Sequence, residues 1–121
     1  MKKHFSVKER LTSFTYAWAG IKQAFATEHN TWIHLSLTIM AVIGAVILKI
    51  NKMEWMALII VIAMVWMAEL FNTAMEKAMD FISIEKHPQI KLVKDMAAAA
   101  VLVAAVAAII IGLLIFIPKL F

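Results

Sequence analysis

The feature that most constrains this chain lies near its C-terminus. From Ala97 to Ile117, 21 consecutive residues carry no charged, amide or hydroxyl side chain. At ~1.5 Å per helical residue the run spans the thickness of a bilayer's hydrocarbon core. Lipid offers no partner to backbone N–H and C=O groups, so a stretch like this must satisfy them internally, as a helix. A second span is predicted over 55–76, opening at Trp55-Met56-Ala57-Leu58 and continuing past Glu69. A third is predicted over 32–50 and contains His34, Ser36 and Thr38. Its apolar part, Trp32 to Leu48, is at the short end for a spanning helix, and a buried core helix is the alternative.

Composition closes other routes. The chain is 64% hydrophobic and only 17% charged, too apolar for disorder and too poor in charge to solvate a small globule. Three glycines and two prolines in 121 residues argue against a turn-rich β fold. With no cysteine there is no disulfide framework, thiolate metal site or thiol nucleophile. Arg10 is the only arginine, so the +4 formal charge does not amount to a nucleic-acid-binding patch.

The lysines instead orient the chain. Lys2, Lys3, Lys8, Arg10 and Lys22 precede the first span, and Lys77, Lys86, Lys91 and Lys94 lie between the second and third. Three spans put these two segments on one side, leaving Lys49, Lys52 and Lys119 on the other. The positive-inside rule then predicts a cytoplasmic N-terminus and an outside C-terminus. The first apolar run begins some thirty residues in and lacks a small-residue cleavage pattern, so no cleavable signal is expected. Trp32 and Trp55 suit an interfacial aromatic belt. Leu11, Phe14, Trp18, Ile21 and Phe25 fall within one arc of a helical wheel, which predicts an amphipathic helix over about 5–28 lying in the cytoplasmic interface. An ordinary packing stripe is the alternative.

Glu69, Asn72, Glu76 and Asp80 carry the chemistry. Their i, i+3, i+7, i+11 spacing places them on one helix face, climbing from inside the membrane towards the cytoplasm. A carboxylate at the depth of Glu69 is costly and marks either a functional site or a polar lock between helices. Carboxylates at the water interface favour a hard cation such as Mg²⁺, which keeps waters and is shared with substrate phosphates. No GxxxxGK[ST] or GxGxxG loop is present, so a bound nucleotide would be held through metal and lysine. Lys94 and Asp95 open the third span with a cation and a further carboxylate. Their plainer roles are interface anchor and N-cap. His29 and His34 are five apart and do not form an i, i+4 ligand pair. His34 reads as a hydrogen-bonded helix contact. His87 reads as either a phosphate contact or a solvated loop residue.

These residues resemble one family, the small prokaryotic diacylglycerol kinases and the related undecaprenol kinases. The central block Ala68-Glu69-Leu70-Phe71-Asn72-Thr73-Ala74-Met75-Glu76, with Asp80, is similar to the family's A-E-x-x-N-T-A-x-E-x-x-x-D. Lys94-Asp95-Met96-Ala97-Ala98 resembles its K-D-x-A/S block, and Arg10 to Ile21 with Glu28 its N-terminal motif. The resemblance covers essentially the whole chain as a single domain. It implies an all-α membrane protein with three transmembrane helices and a surface helix. It also implies a homotrimer with composite sites and phosphorylation of a lipid alcohol by Mg-ATP. Glu69 would be the catalytic base at the lipid hydroxyl, and Glu28 and Glu76 the magnesium ligands. Arg10, Tyr16, Ala17, Glu28, Glu76, Asp80, His87, Lys94 and Asp95 would hold the nucleotide, with Lys94 near its phosphates. Asn72 and Ala98 would join Glu69 at the lipid. Ala17 and Ala98 stand where the enterobacterial diacylglycerol kinases have serine, and Lys86 where a tyrosine is common. These departures concern nucleotide contacts, not the reaction.

Undecaprenol is the expected lipid, on Ser13-Phe14-Thr15-Tyr16-Ala17, the His34-Leu35 pair and the terminal Phe116-Ile117-Pro118-Lys119-Leu120. Diacylglycerol is the alternative. Outside the family, a small proton-coupled transporter using Glu69, or a non-catalytic scaffold, would also explain an intramembrane carboxylate. A trimer is expected on separate grounds too, since three helices offer little interior in which to bury Glu69 without a neighbour.

Overall fold

A computed structural model describes residues 4–121; Lys2 and Lys3 of the orientation argument lie outside the described residues. The described chain has four helices, α1 (Val7–Thr27), α2 (His29–Ile47), α3 (Lys52–Ile82) and α4 (Pro88–Leu120). The last three are each long and apolar enough to cross a membrane. The chain forms two compact units, one ending at Ile33 and the other running from His34 to Phe121.

In the first unit Ser6 caps α1, its side chain accepting from the Glu9 N–H at 3.3 Å. Glu28 ends α1 in an extended conformation, its N–H donating to the Ala24 carbonyl at 2.9 Å, and α2 begins at the next residue. The link is tied by Trp32, whose indole N–H donates to the Phe25 carbonyl at 2.9 Å while its ring packs edge-on against Phe25 at 5.0 Å. Of the predicted stripe on α1, Leu11, Phe14 and Trp18 are exposed. Lys22 lies over the Trp18 ring, 5.9 Å from its centroid.

In the second unit α3 and α4 pack along each other, running in opposite directions. The rest of α2 closes onto them at the end where α3 starts and α4 finishes. There Ala45, Ile50, Leu58 and Ile115 are buried together, flanked by Ala41, Trp55, Ile111 and Phe116. The α2–α3 turn is built to fit that core. Lys49 adopts a left-handed conformation (φ 52°), and the Lys49 and Ile50 N–H groups donate to the carbonyls of Val46 and Ala45. This is a Schellman ending, and its usual apolar contact is the buried Ile50–Ala45 pair. Asn51 and Glu54 then form a reciprocal capping box that starts α3. Lys119 reaches Glu54 at 3.3 Å and levels the far end of α4 with the start of α3.

That levelling decides where the extra helix goes. At ~1.5 Å per residue, helices of 31 and 33 residues exceed a hydrocarbon core by 15 Å or more. With one pair of ends aligned, the excess lies at the other, where α3 carries Glu76 and Asp80 and α4 carries Lys94 and Asp95. The apolar segments 55–76 and 96–117 are thus parts of longer helices, because the hydrogen-bond ladder continues after the apolar residues stop. Of the two roles open to Asp95, this removes the N-cap. α4 begins two turns earlier with Pro88 in its first turn and His87 as N-cap, the His87 ring Nδ1 accepting from the Gln89 N–H at 3.2 Å.

Candidate active site

The α3 polar face follows a gradient of exposure. Glu69 is buried at 7% exposure, Asn72 is half-buried, and Glu76 and Asp80 are exposed. This is the order expected for a ladder leaving an apolar layer.

Glu69 is held by α2. Its Oε2 lies 3.2 Å from His34 Nε2, with both side chains largely enclosed. One turn further along α2, Thr38 Oγ1 donates to the His34 carbonyl at 2.8 Å and accepts from the Trp66 indole N–H at 2.9 Å. His34 and Thr38 are i, i+4 on α2, and Trp66 and Glu69 are i, i+3 on α3, so each pair presents one face to the other helix. The result is two polar rungs between α2 and α3. His34 is therefore the hydrogen-bonded helix contact the sequence suggested, and its partner is Glu69. The burial also corrects one expectation: Glu69 needs no neighbouring subunit to leave lipid, because its own chain encloses it.

His34 and Thr38 also line an apolar cavity of about 290 Å³ between α2, α3 and α4. Leu37, Leu58, Val65, Ala108, Gly112 and Phe116 are among its walls. His34 thus stands between a space suited to an apolar chain and the Glu69 carboxylate. Asn72 Oδ1, one turn beyond Glu69, is buried with no hydrogen-bond partner among the described residues. Buried acceptors are usually paired, so this oxygen is an exception within the helix packing.

At the exposed end α3 and α4 are joined by charge. Lys94 Nζ on α4 lies 2.6 Å from Asp80 Oδ1 on α3, while Lys91 Nζ pairs within α4, 2.6 Å from Asp95 Oδ2. The faces carrying Asp80 and Lys94 therefore do meet across the two helices. Ala98 lies one turn of α4 from Lys94 and is exposed. Beside these pairs the 83–87 connection and the start of α4 form a cleft of about 590 Å³ whose lining includes Lys86, His87, Lys91 and Lys94 together with Glu85 and Ile90. Lys86 and Lys91 entered the sequence argument only through topology and as a family departure. Their gathering around one cleft depends on the α3–α4 turn and has no local signal. Glu76 is exposed and in no ion pair with a described residue.

Arg10, Tyr16, Ala17 and Glu28 belong to the first unit. Arg10 and Tyr16 border a shallow, polar depression with Ser6, Lys8 and Ser13, while Ala17 is exposed outside that lining. Among the described residues no three His, Asp or Glu side chains converge as a closed metal cage. Mg²⁺ does not require one, since it is typically bound by one or two carboxylates with substrate phosphates and water. Glu76, an exposed hard-oxygen donor, suits that arrangement.

Comparison with known proteins agrees with the motifs. Residues 15–116 match the family described as prokaryotic diacylglycerol kinase. The chain is 41% identical over 108 residues to an undecaprenol kinase of Bacillus subtilis, covering 89% of this chain and 88% of that protein. It is 39% identical over 111 residues to a diacylglycerol kinase of Synechocystis, covering 91% of this chain and 63% of that longer protein. A diacylglycerol kinase of Pseudomonas aeruginosa is 32% identical over 103 residues, covering 85% of this chain and 84% of the relative. With a match across most of its length and the motif residues ranged along α3 and α4, the chain belongs to the prokaryotic diacylglycerol kinase family of lipid kinases.

Proposed function

We propose that this protein phosphorylates the hydroxyl of a membrane lipid alcohol, with ATP as donor and Mg²⁺ as cofactor, and that undecaprenol is its substrate. The observation that carries this reading is the setting of Glu69: a buried carboxylate bonded to His34, which itself lines an apolar cavity. At the exposed end, the α3–α4 connection and the start of α4 form a cleft whose lining includes three lysines. A lipid whose chain lies in the apolar space would bring its hydroxyl to Glu69, while phosphate groups would meet Lys86, Lys91 and Lys94.

Glu69 then accepts the hydroxyl proton as the lipid oxygen bonds to the γ-phosphorus. The bond from that phosphorus to the bridging oxygen breaks, and ADP leaves. Lys94, drawn from Asp80, stabilises charge on the phosphates. Glu76, with Glu28, is the proposed holder of magnesium, which when bound neutralises phosphate charge. The remaining contribution is positioning: as the family resemblance implies, Asn72 and Ala98 are assigned to the lipid, and Arg10, Tyr16, Ala17, His87 and Asp95 to the nucleotide. We read the assembly as a homotrimer with sites shared between subunits. The many exposed apolar side chains on α3 and α4 support a partner surface. α1 is read as lying in the cytoplasmic interface of the inner membrane, with the C-terminus outside.

Diacylglycerol is the second reading, favoured by the names of two of the relatives above. The test is one assay: purified protein in mixed micelles with labelled ATP, Mg²⁺ and either undecaprenol or diacylglycerol. Label is expected in undecaprenyl phosphate at the higher kcat/KM. Faster labelling of diacylglycerol would reverse the substrate assignment, and no labelled lipid from either would refute the proposal.

A further inference from the structure

We propose that His34 is a positioning residue for the reaction: its Nε2–H donates to Glu69 Oε2 and fixes the carboxylate so that its other oxygen faces the lipid hydroxyl. This rests on the reading of Glu69 as the base. Three observations carry it. First, His34 is the one side chain hydrogen-bonded to Glu69 among the described residues, at 3.2 Å. A carboxylate enclosed at membrane depth needs a donor, and the imidazole is the group placed to supply one. Second, α2 and α3 are tied together one turn from the histidine, and an aromatic ring lies beside it. Thr38 donates to the His34 carbonyl and is held by the Trp66 indole, and the Trp66 ring lies 6.1 Å from the imidazole centroid. A residue merely filling space between α2 and α3 would not need a second polar rung one turn away. Third, His34 borders the apolar cavity whereas Glu69 is not among its lining residues. The imidazole therefore stands where it can orient the carboxylate relative to a lipid entering from that side. One carboxylate oxygen engaged by His34 leaves the second to take the proton, which is the division of labour a general base needs.

The test has a spectroscopic arm and a kinetic arm. With ¹⁵N-labelled histidine in the wild-type protein, His34 is expected to carry its proton on Nε2, the His34→Gln spectrum assigning the signal. A bare Nε2 would overturn the proposal, since the ring would then be the acceptor. His34→Leu is expected to lower kcat about 10- to 100-fold, the scale of one hydrogen bond to a charged group, with the KM for ATP unchanged. His34→Gln, whose amide N–H reaches the same place, should keep kcat within a few-fold. A His34→Leu enzyme of normal kcat, or a His34→Gln enzyme as slow as a poorly turning His34→Leu, would overturn the assignment. If His34→Leu does not fold, the labelled wild type and His34→Gln still decide. Glu69→Gln separates the two readings. Full activity there would remove the base as well, whereas an inactive Glu69→Gln beside a fully active His34→Leu would remove only the positioning role.

Discussion

Lys94→Gln asks whether the Lys94–Asp80 pair holds the helices together or keeps a cation ready for phosphate. Their contact is short, 2.6 Å, yet the two side chains are 35% and 58% exposed. At that exposure water screens most of the attraction, so the pair is expected to contribute about 0.2–1 kcal/mol to stability. α3 and α4 are in addition packed along their length, and that packing remains when the charge is removed. The expected loss of stability for Lys94→Gln is therefore under ~1 kcal/mol. The expected functional loss is larger. A lysine bound to phosphate makes a charge-assisted hydrogen bond worth roughly 1.5–3 kcal/mol, so kcat/KM for ATP should fall about 10- to 100-fold. Asp80→Asn supplies the counterpart, freeing Lys94 at a similarly small stability cost. Thermal unfolding in detergent measures the first quantity and ATP titration at saturating lipid the second. A double-mutant cycle gives the coupling of the pair. A large drop in unfolding temperature with an unchanged kcat/KM for ATP would refute the reasoning and make the pair a structural lock.

Other predictions concern the lipid end and the turn. Gly112 borders the apolar cavity and has nothing within 4 Å of where a Cβ would stand, so Gly112→Leu should fold. It should raise the KM for lipid several-fold and leave that for ATP alone, as read in mixed-micelle kinetics. At Gly44 an added Cβ would meet Phe116 at an ordinary 3.6 Å, so Gly44→Ala should stabilise α2 by about 0.5–1 kcal/mol in thermal unfolding. Lys49→Gly should be neutral or stabilising by up to ~1 kcal/mol, because glycine accepts the left-handed Schellman position without strain. A clear destabilisation would mean that the Lys49 side chain contributes more than its backbone costs.

Helix identity was legible because lipid leaves the backbone few choices, so hydropathy alone located the α2, α3 and α4 segments. Helix ends were less legible. The segment 77–82 is interrupted by Lys77 and Asp80, and the first two turns of α4 by Gln89, Lys91 and Lys94, so hydropathy reads them as connectors although they remain helical. The N-cap alternative for Asp95 arose for that reason, whereas Ser6, Asn51 and His87 supply the side-chain caps. The site divides in the same way. Glu69, Asn72, Glu76 and Asp80 share one helix, so a 3.6-residue period was enough to align them. The His34–Glu69 bond joins residues 35 apart in sequence, and no local pattern forecasts it.

The amino-acid order alone settled that this chain is helical, that it can cross a membrane three times, and that one helix face carries an acidic ladder. These follow from periodicity and transfer energy, which are properties of single segments. Only the packed structure decided that Glu69 is enclosed by its own chain, that His34 holds it, and that Lys94 reaches Asp80. Those facts depend on the rotation and register of α2, α3 and α4 against one another, set by the Ala45–Ile50–Leu58–Ile115 core and the Glu54–Lys119 pair, where many small contacts between distant segments act together.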